Sequence, residues 1–151
     1  MYLTLLTLHS WGRWAVLAGL LFGLARAYRG WLAGGPFTPL DDRVRHGVAT
    51  VAHVQLTLGY LLYFVSPVVR AFRLRAAVPD PGALFFGLQH VLAMTVAVVV
   101  LTIGSALAKR RAGSPAKFRT MALWFTAALL LIFLAIPWPF SPWANRPYFR
   151  P

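Results

Sequence analysis

The chain contains no cysteine and only three acidic residues, Asp41, Asp42 and Asp80. Without cysteine there is no disulfide framework, no thiolate metal site, no iron-sulfur cluster and no thiol nucleophile. With carboxylates confined to loops and helix starts, paired-carboxylate catalysis inside the membrane is not expected. No glycine-rich phosphate loop is present either. Charge of any sign is scarce, at 12% of 151 residues, whereas 59% are hydrophobic. Soluble domains carry about 25% charged and about 45–50% apolar residues, so lipid is the solvent this composition suits. A net charge of +12 on a soluble framework would suggest nucleic acid, but too little polar surface remains to present a binding patch. The basic residues are read first as marks of membrane topology.

What the sequence does have is long apolar runs. A bilayer core needs about 20 mostly apolar residues per helix, and the charges divide the chain into four such stretches. They predict helices over about 3–30, 39–66, 81–110 and 117–137. Gly34-Gly35-Pro36 ends the first, and Thr38-Pro39-Leu40-Asp41 supplies an N-cap, a first-turn proline and early carboxylates for the second. Ser66-Pro67 ends or kinks that helix, Asp80-Pro81 starts the third, and Gly113-Ser114-Pro115 separates the third from the fourth. The tail from Pro137, rich in proline and aromatics, reads as an irregular segment at headgroup level.

The expected fold is an all-α integral membrane four-helix bundle in a single domain, running up-down-up-down. Nine basic residues, Arg26, Arg29, Arg43, Arg45, Lys109, Arg110, Arg111, Lys117 and Arg119, fall on one side; five, Arg70, Arg73, Arg75, Arg146 and Arg150, fall on the other. The positive-inside rule makes the first side cytoplasmic and both termini extracytoplasmic. No basic region precedes the first apolar run, so helix one reads as a permanent span rather than a leader.

Ionisable groups at membrane depth are expensive and functional by default. His9 and Arg13 share a face of helix one. On helix two, His46, Thr50, His53, Thr57 and Tyr60 form one stripe, expected to point inward, with His46 solvated beside Arg45 near the cytoplasmic boundary. Helix three carries His90 with Met94 one turn on. At 1.5 Å rise per residue His9 lies about 9 Å deep, His90 about 13 Å and His53 about 20 Å. Two histidines from different helices at similar depth are what one bis-imidazole b haem requires. Gly12, Gly19 and Gly23 are expected to give a planar group room, and Arg13 to meet a propionate or the headgroups. Two of His9, His53 and His90 would bind iron, with His90 favoured as one of them. The remaining imidazole is left for a propionate, a quinone or a proton. A copper site from His9, His53, His90 and Met94 is a competing reading, as is a non-catalytic subunit or assembly factor of a respiratory complex.

The segments His9-Ser10-Trp11-Gly12-Arg13-Trp14, His53-Val54-Gln55-Leu56-Thr57-Leu58-Gly59-Tyr60-Leu61-Leu62-Tyr63-Phe64, Gln89-His90-Val91-Leu92-Ala93-Met94 and Ile136-Pro137-Trp138-Pro139-Phe140 resemble small four-helix bacterial membrane proteins described as cytochrome b-like. The resemblance runs through all four helices in order. It implies a haem-bearing electron carrier of the bacterial cytoplasmic membrane, with His9, His53, His90 and Arg13 at the matching positions. The expected partners are lipid and, for an electron carrier of this kind, a quinol and an extracytoplasmic acceptor. Gln89 stands where members usually carry an acidic residue, which removes a carboxylate role there.

Overall fold

A computed structural model describes residues 1–74, 81–142, 144 and 146–148. Among these the chain is helical, without strands: α1 (Tyr2–Ala33), α2 (Pro39–Val65), α3 (Pro67–Arg73), α4 (Pro81–Leu84), a π-helical turn (Phe85–Gln89), α5 (His90–Arg110) and α6 (Ser114–Ala135). Four stretches are long and apolar enough to cross a bilayer: α1, α2, the continuous run Pro81–Arg110, and α6. Each exceeds the 20 residues, about 30 Å, that a hydrocarbon core demands. Packing runs in a ring, α1 on α2, α2 on α5, α5 on α6 and α6 back on α1.

The helix ends follow the local chemistry. Gly34 closes α1 in the left-handed region at φ 71°, where a residue without Cβ is unstrained. At the start of α2 the Thr38 hydroxyl accepts from the Asp41 N–H while the Asp41 carboxylate accepts from the Thr38 N–H, with Pro39 in the first turn. That capping box satisfies two otherwise orphaned donors. The Ser66-Pro67 break falls where expected, because proline has no N–H to continue the ladder. Asp80, expected to cap the next helix, lies outside the described residues, as do Arg75 and Arg150.

The interior is built from small side chains. Ala27, Ala52, Ala97, Ala108, Ala122 and Ala128 are fully buried around Leu20, Leu101, Met121 and Phe125, while Phe22, Leu61, Phe64, Leu92, Leu130 and Leu134 are exposed on the outside. Lipid tails are as apolar as leucine, so close approach of backbones rather than burial of large side chains holds such a bundle together. Gly23 approaches Met121, Val48 and Phe125, and Gly19 approaches Val48. These two glycines therefore serve helix packing and do not line the space for a planar group that the sequence suggested.

Two expectations about polar residues are corrected here. Most of the α2 stripe points outward: His46, Thr50, His53 and Thr57 are exposed, while Tyr60, 37% exposed, also reaches a cavity at one end of the bundle. Its polar groups bond partly within α2 and partly toward α5. Tyr60 donates to the Thr95 hydroxyl at 2.8 Å, His53 Nε2 lies 3.3 Å from the Thr102 hydroxyl, and Thr50 and Thr57 donate to carbonyls four residues back. Nor are all the basic residues topology marks. Arg45 is 4% exposed and bonds Asp42 along with the Ser105 hydroxyl and carbonyl, while Arg26 pairs with buried Asp41 at 2.7 Å. These contacts tie α1 to α2 and α2 to α5, so His46 is exposed beside an arginine that turns inward.

Removing the Asp41 carboxylate deletes the capping box and the Arg26 pair together. Asp41→Ala is expected to lower stability by about 1–3 kcal/mol, read as a fall in Tm in detergent. The exposed Arg29→Ala should stay within about 0.5 kcal/mol. Equal melting temperatures for the two variants would show that the cluster does not hold the bundle.

Candidate functional site

Three spans are interrupted at one end of the bundle: α2 at Ser66, the third span by the π-helical turn, and α6 at Ile136. In the π turn the His90 N–H reaches back five residues to the Phe85 carbonyl. The extra residue rotates the remainder of the span by about 100° relative to an uninterrupted helix. Packing loosens there into a cavity of about 160 Å³ among α1, α2, α5 and the end of α6. A water needs roughly 10–15 Å³ on such a measure, so the space suits an organic group of many atoms.

His9, Ser10, Arg13, Gln55, Tyr60, His90 and Arg146 bring polar groups to this cavity, and Val16, Leu56, Met94, Val98 and Ile132 supply much of its apolar wall. No carboxylate side chain lines it among the described residues. His9 and His90, 81 positions apart, place their ring centroids 6.2 Å apart with the planes inclined at 80°. The aromatic rings of Phe85 and Phe86 flank His90 at 5.6 and 6.0 Å.

Each of the two rings is oriented through Nδ1. His90 Nδ1 is 2.8 Å from the Ala135 carbonyl at the end of α6. A carbonyl only accepts, so Nδ1 carries the proton and the neutral ring offers the lone pair of Nε2. The Gln55 amide donates from Nε2 to the His9 carbonyl at 2.7 Å and lies 3.2 Å from His9 Nδ1. Gly59 makes room for the ring, since a Cβ there would lie 3.0 Å from His9 Cε1. Gly12 does the same for Gln55, whose Oε1 occupies the space a Cβ would take.

Of the residues singled out from sequence, the fold brings His9, His90 and Arg13 to one cavity. It puts His53 elsewhere, exposed on the α2–α5 seam, its Nδ1 donating to the Ala49 carbonyl at 2.8 Å. Met94 lines the cavity too, but no group of three or more histidine or acidic side chains stands ready to hold a metal ion among the described residues. Arg13 donates to the backbone carbonyls of Pro147 and Tyr148, folding the C-terminal tail back over α1, and Trp14 Nε1 reaches the same Tyr148 carbonyl. Arg146, assigned from sequence only to a topological side, lines the cavity and lies 5.1 Å from the Phe86 ring centre. Sequence reading also missed Gln55, Gly59 and the Ala135 carbonyl. Gln55, two residues past His53, was in principle visible as a polar side chain within an apolar span. A backbone carbonyl carries no sequence signal at all.

Comparison with models of known protein families, with curated proteins and with solved structures finds no match to this chain. The class that the fold itself defines is a helical membrane protein with four candidate spans and a histidine-bearing cavity at one end.

If Arg13 holds the tail down, Arg13→Gln should release it. Limited proteolysis in detergent is expected to cut beyond residue 140 several times faster in the variant, with the helical core left intact. An unchanged cleavage rate would mean that the tail is held by other contacts.

Proposed function

We propose that the chain is a b-type membrane cytochrome, a single-electron carrier that holds one haem between His9 and His90. The observation that carries this reading is the 6.2 Å separation of the two imidazoles at a cavity that both line. Two imidazoles that held one metal ion between them through metal–nitrogen bonds of about 2.0–2.1 Å would have their ring centres roughly 6 Å apart. His90 supports it further. Its Nδ1 proton is held by a carbonyl, the second-sphere contact that metal-binding histidines commonly make, and Nε2 is left as the ligating atom. When bound, the haem supplies reversible one-electron transfer, with its potential set by ligation, burial and nearby charge.

The chain's own residues would do the rest. Val16, Leu56, Met94, Val98 and Ile132 exclude water. Arg13 and Arg146 bring two cations to the same cavity, matched in sign to two propionates. Once His9 and His90 serve as the ligands, His53 is a seam residue. The resemblance in the segments around His9, His53, His90 and Ile136 points the same way. By the positive-inside rule the bundle runs up-down-up-down in a bacterial cytoplasmic membrane, with both termini and the haem on the outer side. A quinol as donor and an extracytoplasmic acceptor are the partners that fit a carrier so placed.

Purified protein should show reduced-minus-oxidised bands of a low-spin b haem at about one haem per chain. His90→Ala should abolish those bands, and His53→Ala should leave them in place. A colourless preparation that takes up no haem would overturn the proposal, and copper in place of haem would favour a site of His9, His90 and Met94.

A further inference from the structure

Gln55 belongs to no ligand set, yet its amide hydrogen-bonds both the carbonyl and the ring of His9. Its Nε2 donates to the His9 carbonyl at 2.7 Å and lies 3.2 Å from the same residue's Nδ1. The carbonyl fixes which end of the amide is which. Exchanging the two atoms would place Oε1 2.7 Å from another acceptor oxygen, a repulsive contact. The second hydrogen of the amide therefore faces Nδ1, which must accept. A neutral imidazole has one proton, so His9 in this arrangement carries it on Nε2, the opposite tautomer to His90. Meanwhile Gln55 Oε1 is buried with no hydrogen-bond partner, in the space left by the missing side chain of Gly12. A buried unsatisfied acceptor beside a functional group calls for an explanation.

We infer that Gln55 is the positioning residue for His9, an amide with two seats that selects which ring nitrogen faces the cavity. In the seat observed, the amide hydrogen on Nδ1 holds the proton on Nε2, making His9 a hydrogen-bond donor to the cavity. In the second seat the amide pivots about its bond to the His9 carbonyl, and Oε1 swings from the Gly12 side to accept from a proton on Nδ1. Oε1, orphaned in the first seat, then has a donor, and His9 offers the Nε2 lone pair. The ring stays neutral throughout; one proton changes nitrogen and nothing is gained or lost. Gly12 leaves the space that Oε1 fills in the observed seat, and the His9 carbonyl provides the hinge. The inference rests on the haem reading for the purpose of the second seat, since ligation through Nε2 needs the proton on Nδ1.

The test uses the full chain in detergent, haem-free, with ¹⁵N-labelled histidine. The ring nitrogens of His9 are expected to report protonated Nε2 and bare Nδ1, while His90, an internal control, reports the reverse. A His9 already protonated on Nδ1 would overturn the inference. Titration with haem then compares wild type with Gln55→Met, which keeps the length of the side chain without its polar atoms. The variant is expected to bind 10–100-fold more weakly, the usual loss when a second-sphere partner goes. Its reduction potential should lie above that of wild type, because the imidazole loses the acceptor that makes it a stronger donor. Binding within twofold together with an unchanged potential would also overturn it. Should wild type bind no haem, the proposed function falls, while the nitrogen signals still decide whether Gln55 sets the tautomer. They decide it as well if the variant fails to fold.

Discussion

Hydrocarbon offers no hydrogen bonds, so a polar group carried into the bilayer must find its partner within the protein. The consequences can be traced residue by residue. Five threonines in the spans, Thr7, Thr50, Thr57, Thr95 and Thr102, donate to carbonyls one turn back, a local solution that asks nothing of the fold. Groups with more to satisfy have to reach another helix. Arg45 finds Ser105, Arg26 finds Asp41, Tyr60 finds Thr95, and Tyr28 shares a hydrogen bond with Thr126 at 2.9 Å. Such contacts join α1 to α2, α2 to α5 and α1 to α6, so the polar residues fix which helices are neighbours while alanine and glycine let them come close.

The same rule makes the cavity end distinctive. There the regular ladder stops three times, at Ser66, in the π turn and at Ile136, and helix interruptions at membrane depth are tolerated where protein covers them. The tail supplies part of that cover, with Arg13 and Trp14 holding the carbonyls of Pro147 and Tyr148 and with Trp138 packed against Phe133 and Phe140. Into the space so formed the bundle directs two imidazoles and two guanidiniums, and no carboxylate among the described residues.

The two histidines at that site are held differently, and the difference is chemical. His90 is fixed by a carbonyl, which permits one tautomer only; His9 is fixed by an amide, which has both a donor and an acceptor to offer. A carbonyl gives rigidity, and an amide gives a choice. Gly59 and Gly12, on facing helices, clear the room that the His9 and Gln55 side chains occupy.

The four apolar stretches, their breaks at Gly34, Ser66 and Gly113, and the Thr38 cap were legible in the sequence because each depends on residues a few positions apart: lipid sets the length, and proline, glycine and capping side chains set the ends. That His9, Arg13 and His90 deserved notice was equally legible, since an ionisable side chain in an apolar run is costly wherever it points. Where it points is another matter. The regular 4, 3, 4, 3 spacing of His46, Thr50, His53, Thr57 and Tyr60 correctly placed them on one face of α2, yet that face lies on the outer seam. Periodicity gives the relative angles of side chains around a helix and leaves the rotation of the helix within the bundle undetermined. Tertiary packing alone chose that rotation. It put His53 against Thr102 and Gln55 against His9, turned Arg45 inward and brought the Ala135 carbonyl to His90, because each of these partnerships joins atoms from helices far apart in the chain.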